Sequence, residues 1–179
     1  MSSKHFDENN IIYKKGLKGE KIALDFLINH KMDIIEEEYN KNGKYDIKTN
    51  NGTYEIKLDD NYIKYGSVFV EFQTIYNNHT LRFTGINISN AEYYLFVCPV
   101  DYENKKFKIF QIMTKFLKEY INNSIQNNKY VVRPADCKTW EKNTNNNIIG
   151  KNYGYIIDDE ILLKYGSVYS WGTGPPVIP

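Results

Sequence analysis

The stretch Lys44-Tyr45-Asp46-Ile47-Lys48-Thr49-Asn50-Asn51-Gly52-Thr53-Tyr54-Glu55-Ile56-Lys57-Leu58 decides the fold. Apolar and polar residues alternate at both of its ends, the period of half-buried strands. Between the ends lie Asn50, Asn51 and Gly52. Asn and Gly both tolerate positive φ, so a tight hairpin is expected to join strands over 44–49 and 53–58. Glu55 and Lys57 are two apart and share one face of their strand, whereas Ile56 points the other way, into the core. Asp46 falls on the partner strand, and paired strands bring facing side chains within several ångströms. Two carboxylates and one ammonium are thus expected around a single point.

Working outward, Leu17, Leu24, Leu27 and Ile28 recur at helical spacing and predict a helix over 15–30. Glu20 shares that apolar face, one turn before Leu24, and a carboxylate there is the odd member of the set. Residues 1–12 are polar and read as a flexible N-terminal arm. Downstream, residues 32–37 are a weak strand candidate. Residues 68–73 alternate, with Val68, Val70 and Phe72 on one face and Phe69, Glu71 and Gln73 on the other. Residues 93–97 form an apolar strand that pairs with 106–112 across 101–104. Thr114 is expected to cap a helix ending at 120 or 121. A strand over 130–133 should stop at Pro134, 143–147 should be a loop, and 153–157 and 161–163 are elements of undefined type. The Gly/Pro-rich residues 172–179 read as an irregular tail. Lys-Tyr-Gly-Ser-Val occurs at 64–68 and again at 164–168, but the flanks do not extend the match into a repeat architecture. This order predicts one α/β (α+β) domain over 1–179, with a central mixed β-sheet flanked by helices.

Composition narrows the function classes. The chain is 41% hydrophobic and 25% charged, an ordinary globular balance. Its net charge is +1, so any nucleic-acid contact must come from a local patch. Lys14, Lys15, Lys18 and Lys21 form such a cluster, and it reads equally well as a solvated helix face. The sixteen tyrosines and nine phenylalanines are read chiefly as packing rather than as a base-stacking surface. Cys98 and Cys137 lie in no CxxC pair and near no His at ligand spacing, which argues against zinc. His5, His30 and His79 are scattered and offer no visible base. The hydroxyls of Thr84 and Ser89 lack a base partner and read as turn and capping groups. No run has the length of a membrane span, so no membrane partner and an intracellular, cytoplasmic setting are expected. The abundance of Asn, Lys, Ile and Tyr follows AT-rich codons and is consistent with a phage, viral or bacterial source.

Phosphodiester hydrolysis needs the groups the hairpin collects. Mg²⁺ is a hard cation that prefers carboxylate oxygens. Bound by two of them, it polarises a phosphate and lowers the pKa of a bound water. A neighbouring lysine orients that water and offsets charge building on the phosphate. Glu-x-Lys on an exposed strand is common, and so is an aspartate flanking a turn. The weight lies in the conjunction of order, a compact hairpin between the acids, and a carboxylate on an apolar helix face.

Asp46, then Glu55 and Lys57, with Glu20 on the preceding helix, resembles the PD-(D/E)XK nuclease superfamily over residues 15–97. That superfamily includes restriction endonucleases and Holliday-junction resolvases. Tyr45 stands where the motif has proline. The resemblance implies a restriction-endonuclease-like core and Mg²⁺-dependent cleavage of DNA, with Mn²⁺ able to substitute. Asp46, Glu55 and Glu20 would be metal ligands and, with Lys57, the catalytic set. It also implies a homodimer, because cutting two strands takes two sites. Glu71 and Gln73 are candidate accessory residues, and Lys14, Lys15 and Lys18 are candidate contacts to the DNA backbone. The alternative is a catalytically inactive nuclease-fold module that binds nucleic acid or a protein partner.

Overall fold

The computed structural model describes residues 11–37, 45–127, 133–142 and 148–172. The chain runs α1 (Ile11–Asn29), β1 (Ile34–Glu37), β2 (Ile47–Thr49), β3 (Gly52–Leu58), α2 (Tyr62–Tyr65), β4 (Ser67–Tyr76) and β5 (Leu81–Phe83). After a 3-10 turn at Gly85–Asn87 follow β6 (Tyr93–Asp101), β7 (Lys106–Met113) and α3 (Thr114–Asn127). The last elements are β8 (Arg133–Lys142), β9 (Ile148–Asp158), α4 (Asp159–Tyr165) and β10 (Ser167–Trp171).

The hairpin is present: β2 and β3 pair antiparallel, Ile47 opposite Tyr54 and Thr49 opposite Gly52. Its turn differs from the expected one. Neither Asn50 nor Asn51 takes a positive φ; Gly52 alone does, at 139°. The asparagines are held otherwise. Asn51 donates its amide to Thr49 Oγ1 at 3.0 Å, and the Asn50 amide reaches the Asp33 carbonyl at 3.1 Å.

Beyond the hairpin, β3 pairs with β6 in parallel, which sets Glu55 beside Tyr94 and Ile56 beside Leu95. The central sheet has the order β1-β2-β3-β6-β7-β10 and is mixed, with helices against it, as expected. A second sheet, ordered β5-β4-β9-β8, was not anticipated. Its main ladder joins β4 to β9, with Ser67 opposite Asp158, a pairing far too distant in sequence for local periodicity to reveal.

Each face of the central sheet has its own core. On one side Tyr54, Ile56, Leu95, Val97 and Ile109 pack with Ala23, Phe26 and Leu27 of α1. On the other, Tyr94, Phe96, Phe110 and Ile112 pack with Val68, Val70, Leu117, Ile157 and Leu162. Strand β6 is therefore covered on both faces, which explains its unbroken apolar run. Burying each such side chain contributes roughly 1.5–3 kcal/mol.

Helix α1 starts four residues before the expected position, at Ile11 rather than Lys15. Its buried stripe is Gly19, Ala23, Phe26 and Leu27, while Ile28 is exposed, contrary to the expected face. At Gly19 the helix meets β3 so closely that a Cβ would lie 2.8 Å from the Leu58 Cβ. Only glycine permits that approach without displacement.

The C-terminal third departs most from expectation. Helix α3 continues to Asn127. The Thr114 hydroxyl is buried without a hydrogen bond and so caps nothing. Pro134 does not stop a strand but lies inside β8, opposite Tyr155. β8 is an edge strand, the place in a sheet where a proline is tolerated. Residues 11 and 12 of the expected arm belong instead to α1, and the rest of the arm, residues 130–132 of the expected strand, the 143–147 loop and the tail beyond 172 lie outside the described residues.

The duplicated pentapeptide has a structural meaning. Both copies carry the chain from the last turn of a helix into a strand, α2 into β4 and α4 into β10. The glycine amide closes the helix each time, from Gly66 to the Tyr62 carbonyl and from Gly166 to the Leu162 carbonyl, both at 2.8 Å. Each lysine lies over its neighbouring tyrosine ring, at 4.8 Å for Lys64 and 4.9 Å for Lys164. The backbones differ at the glycine, with φ of 60° at Gly66 and −128° at Gly166.

Among the described residues no helix is long and apolar enough to cross a membrane.

Candidate active site

The site forms where β2 leaves β3. The Asp46 amide still donates to the Tyr54 carbonyl at 2.8 Å. One step further along β3, the Ile56 amide has no strand partner on this side. It donates instead to Asp46 Oδ2 at 2.7 Å. A buried amide left without an acceptor would be costly, so the carboxylate of Asp46 is anchored by the end of the ladder it terminates.

Tyr54 and Ile56 face α1, so Glu55 and Lys57 project from the opposite face. Lys57 Nζ lies 2.5 Å from Glu55 Oε1, a charge-assisted hydrogen bond. The Glu55 side chain is 13% exposed and that of Lys57 40%, so the pair sits at a rim, with the acid beneath. Asp46, Glu55 and Lys57 are thus brought together, as the hairpin implied.

The electrostatics follow from this crowding. Burial and then the Glu55 charge raise the Asp46 carboxyl to about 7, against the opposing pull of Lys57 and the Ile56 amide. Glu20 adds a further, smaller upward push, so α1 carries it within electrostatic reach of Asp46. Burial opposes the charge on Lys57, but Glu55 and Asp46 outweigh it and hold the ammonium above its ordinary range. Among the described residues, no three His, Cys, Asp or Glu side chains converge closely enough to cage a cation. The site is a close acid pair with a lysine, and Glu20 stands further off.

Two residues that sequence reasoning missed complete the surroundings. Ser89, read as a turn hydroxyl, does support its turn by accepting from the Ala91 amide at 3.3 Å. It also donates to Glu55 Oε2 at 3.4 Å. Lys118 of α3 fixes the Ser89 carbonyl at 2.9 Å. Tyr94 is the parallel-register neighbour of Glu55 on β6. No local pattern signals either residue, because both reach Glu55 only through the β3–β6 pairing and the turn before β6.

The remaining candidates are placed elsewhere. Glu71 and Gln73 belong to β4 in the second sheet, and no hydrogen bond or ion pair joins them to Asp46, Glu55 or Lys57. Lys15 pairs with Asp60 at 2.8 Å. Lys18 lies over the Tyr102 ring at 4.0 Å. Lys14 is exposed.

No protein-family model matches this chain, and no curated protein or solved structure matches it either.

Proposed function

We propose that the chain is a metal-dependent DNA endonuclease of the PD-(D/E)XK type, with Asp46, Glu55 and Lys57 as its catalytic set and Glu20 in support. The observation that carries this reading is the close group of Asp46, Glu55 and Lys57 at the point where β2 diverges from β3. The donor set suits a hard cation. Burial, and then the Glu55 charge, push Asp46 up to about 7 even with Lys57 present, so its charged form has a deficit of stabilising charge. Mg²⁺, or Mn²⁺ in its place, would relieve that deficit and prefers such oxygens. When bound, the cation supplies Lewis acidity toward a phosphate oxygen.

The chain's own residues do the rest. Asp46 and Glu55 would hold the cation, the first anchored by the Ile56 amide and the second by Ser89. Lys57 offsets charge on the phosphate and orients the attacking water. Duplex DNA cut on both strands would call for a homodimer. Both a structure-selective, resolvase-like substrate and a restriction-type one fit this reading.

The test is cleavage of linear duplex, single-stranded and four-way-junction DNA with Mg²⁺, Mn²⁺ or EDTA, comparing the parent with Glu55→Ala. Metal-dependent cutting that the variant loses supports the reading, and cutting that survives in Glu55→Ala sinks it. One observation favours a second reading, a nuclease-fold module that only binds nucleic acid or protein. Glu55 is already engaged by Lys57, and no third acid completes a cage among the described residues. Such a module would show no rise in melting temperature with Mg²⁺ or Mn²⁺.

A further inference from the structure

The Tyr94 ring lies in the apolar core with Phe96, Phe110 and Ile112, and the residue is 1% exposed. Its hydroxyl is closed to solvent and has no close hydrogen-bond partner, although Ser89 acts on it from further off. A buried phenol without a partner is unfavourable and rare, so its retention calls for an explanation. The surroundings supply one. Tyr94 is the register neighbour of Glu55; burial acts most strongly on its hydroxyl, and Glu55, Lys57, Ser89 and Asp46 act on it after that. Glu55 meanwhile spends Oε1 on Lys57 at 2.5 Å. Its Oε2 takes only the long bond from Ser89 at 3.4 Å. In the proposed reaction Lys57 must serve the substrate, and Glu55 then loses its strongest partner. A phenol has one proton to donate, and the strand register sets Tyr94 next to Glu55.

We propose that Tyr94 is a positioning residue for Glu55: when Lys57 turns to the substrate phosphate, the Tyr94 hydroxyl donates its hydrogen bond to the Glu55 carboxylate in the ammonium's place. The inference rests on the nuclease reading above. It explains why a hydroxyl without a close partner in the resting protein is kept on the strand beside Glu55. Tyr94 does not touch the phosphate, since its hydroxyl is sealed from solvent behind the site.

The experiment uses the full chain, with Tyr94→Phe and Glu55→Ala beside the parent. It reads kcat and KM for DNA cleavage in Mg²⁺ and the melting temperature in EDTA. For Tyr94→Phe we expect kcat to fall about tenfold or more, the usual scale for groups that orient a metal ligand. KM should stay near the parent's, and the melting temperature should hold or rise, because the lost hydroxyl had no partner. An unchanged kcat overturns the inference, and so does a loss confined to KM. A lower melting temperature also overturns it, because the hydroxyl would then be bonded in the resting protein. Cutting by Glu55→Ala, or none by the parent, sinks the nuclease reading itself. A parent that cuts, a dead Glu55→Ala and a fully active Tyr94→Phe remove only the role of Tyr94.

Discussion

Asp46 and Asp59 lie at the two approaches to the same strand, and each accepts a short backbone hydrogen bond. For Asp46 the donor is Ile56, at 2.7 Å. For Asp59 it is Phe69, at 2.8 Å. The second oxygen separates them. Asp59 uses its other oxygen on the Asn61 amide at 3.0 Å, so the buried carboxylate is fully matched by backbone donors. It fastens the exit of β3 to the start of β4. The other oxygen of Asp46 accepts no hydrogen bond among the described residues, and the carboxyl is acted on by burial first and then by the charges of Glu55, Lys57 and Glu20. A saturated carboxylate is a fastener; one with a spare oxygen beside a second acid retains capacity for a cation or a substrate.

The largest expected effect tests the reactive side of this contrast. Lys57→Ala and Asp46→Ala should each lower DNA cleavage by about 10²–10³-fold, the scale for removing one preorganised charge-stabilising group. Asp59→Ala should cut as well as the parent wherever it is folded. Equal losses in all three variants would erase the distinction. The next effect reverses the ranking. Asp59→Ala strands two backbone amides and should destabilise by roughly 2–4 kcal/mol, measured by urea unfolding.

A smaller effect concerns pH. Asp46 is raised from 3.8 to about 7 in the folded chain. The folded state therefore holds a proton that the unfolded chain releases between those values. The stabilising contribution is complete below the lower value and is lost as pH rises through the higher one. In EDTA, Asp46→Asn should abolish this decline and melt higher than the parent at pH 8. The gain should be a few kcal/mol, from about 1.4 kcal/mol per pKa unit. Parallel pH profiles for parent and variant would contradict it.

The smallest effect comes from the adjoining Asp60. It is partly buried, which pushes its carboxyl up, but hydrogen bonds from Lys15 and Tyr102 outweigh this and hold it below its ordinary value. Its side chain and that of Lys15 are each 39% exposed, so water screens the pair. Asp60→Asn should change stability by less than about 1 kcal/mol in the same unfolding experiment. A larger loss would put this exposed group in the class of Asp59.

The legible parts of the molecule were the local ones. Residues 52–58 carry a clear period of two, and the Asn-Gly pair marks the turn, so the hairpin and the shared face of Glu55 and Lys57 follow from short-range chemistry alone. The details of that turn were not legible, because Asp33 and Thr49 compete for Asn50 and Asn51 and leave only Gly52 to take positive φ. Ile28 was misplaced for a related reason. Helical spacing admits several adjacent stripes, and the close contact of Gly19 with Leu58 selects the one through Ala23 and Phe26.

By itself the sequence determined which residues could pair across one tight turn, and hence the nearness of Asp46 to Glu55 and Lys57. The tertiary structure alone decided what stands behind them. Tyr94 stands beside Glu55 only because β3 and β6 run parallel after a long crossover, and the strand that carries Glu71 is fixed by its pairing with β9 in another sheet. Those pairings depend on which apolar faces bury best against one another, a property of the assembled core that no local period encodes.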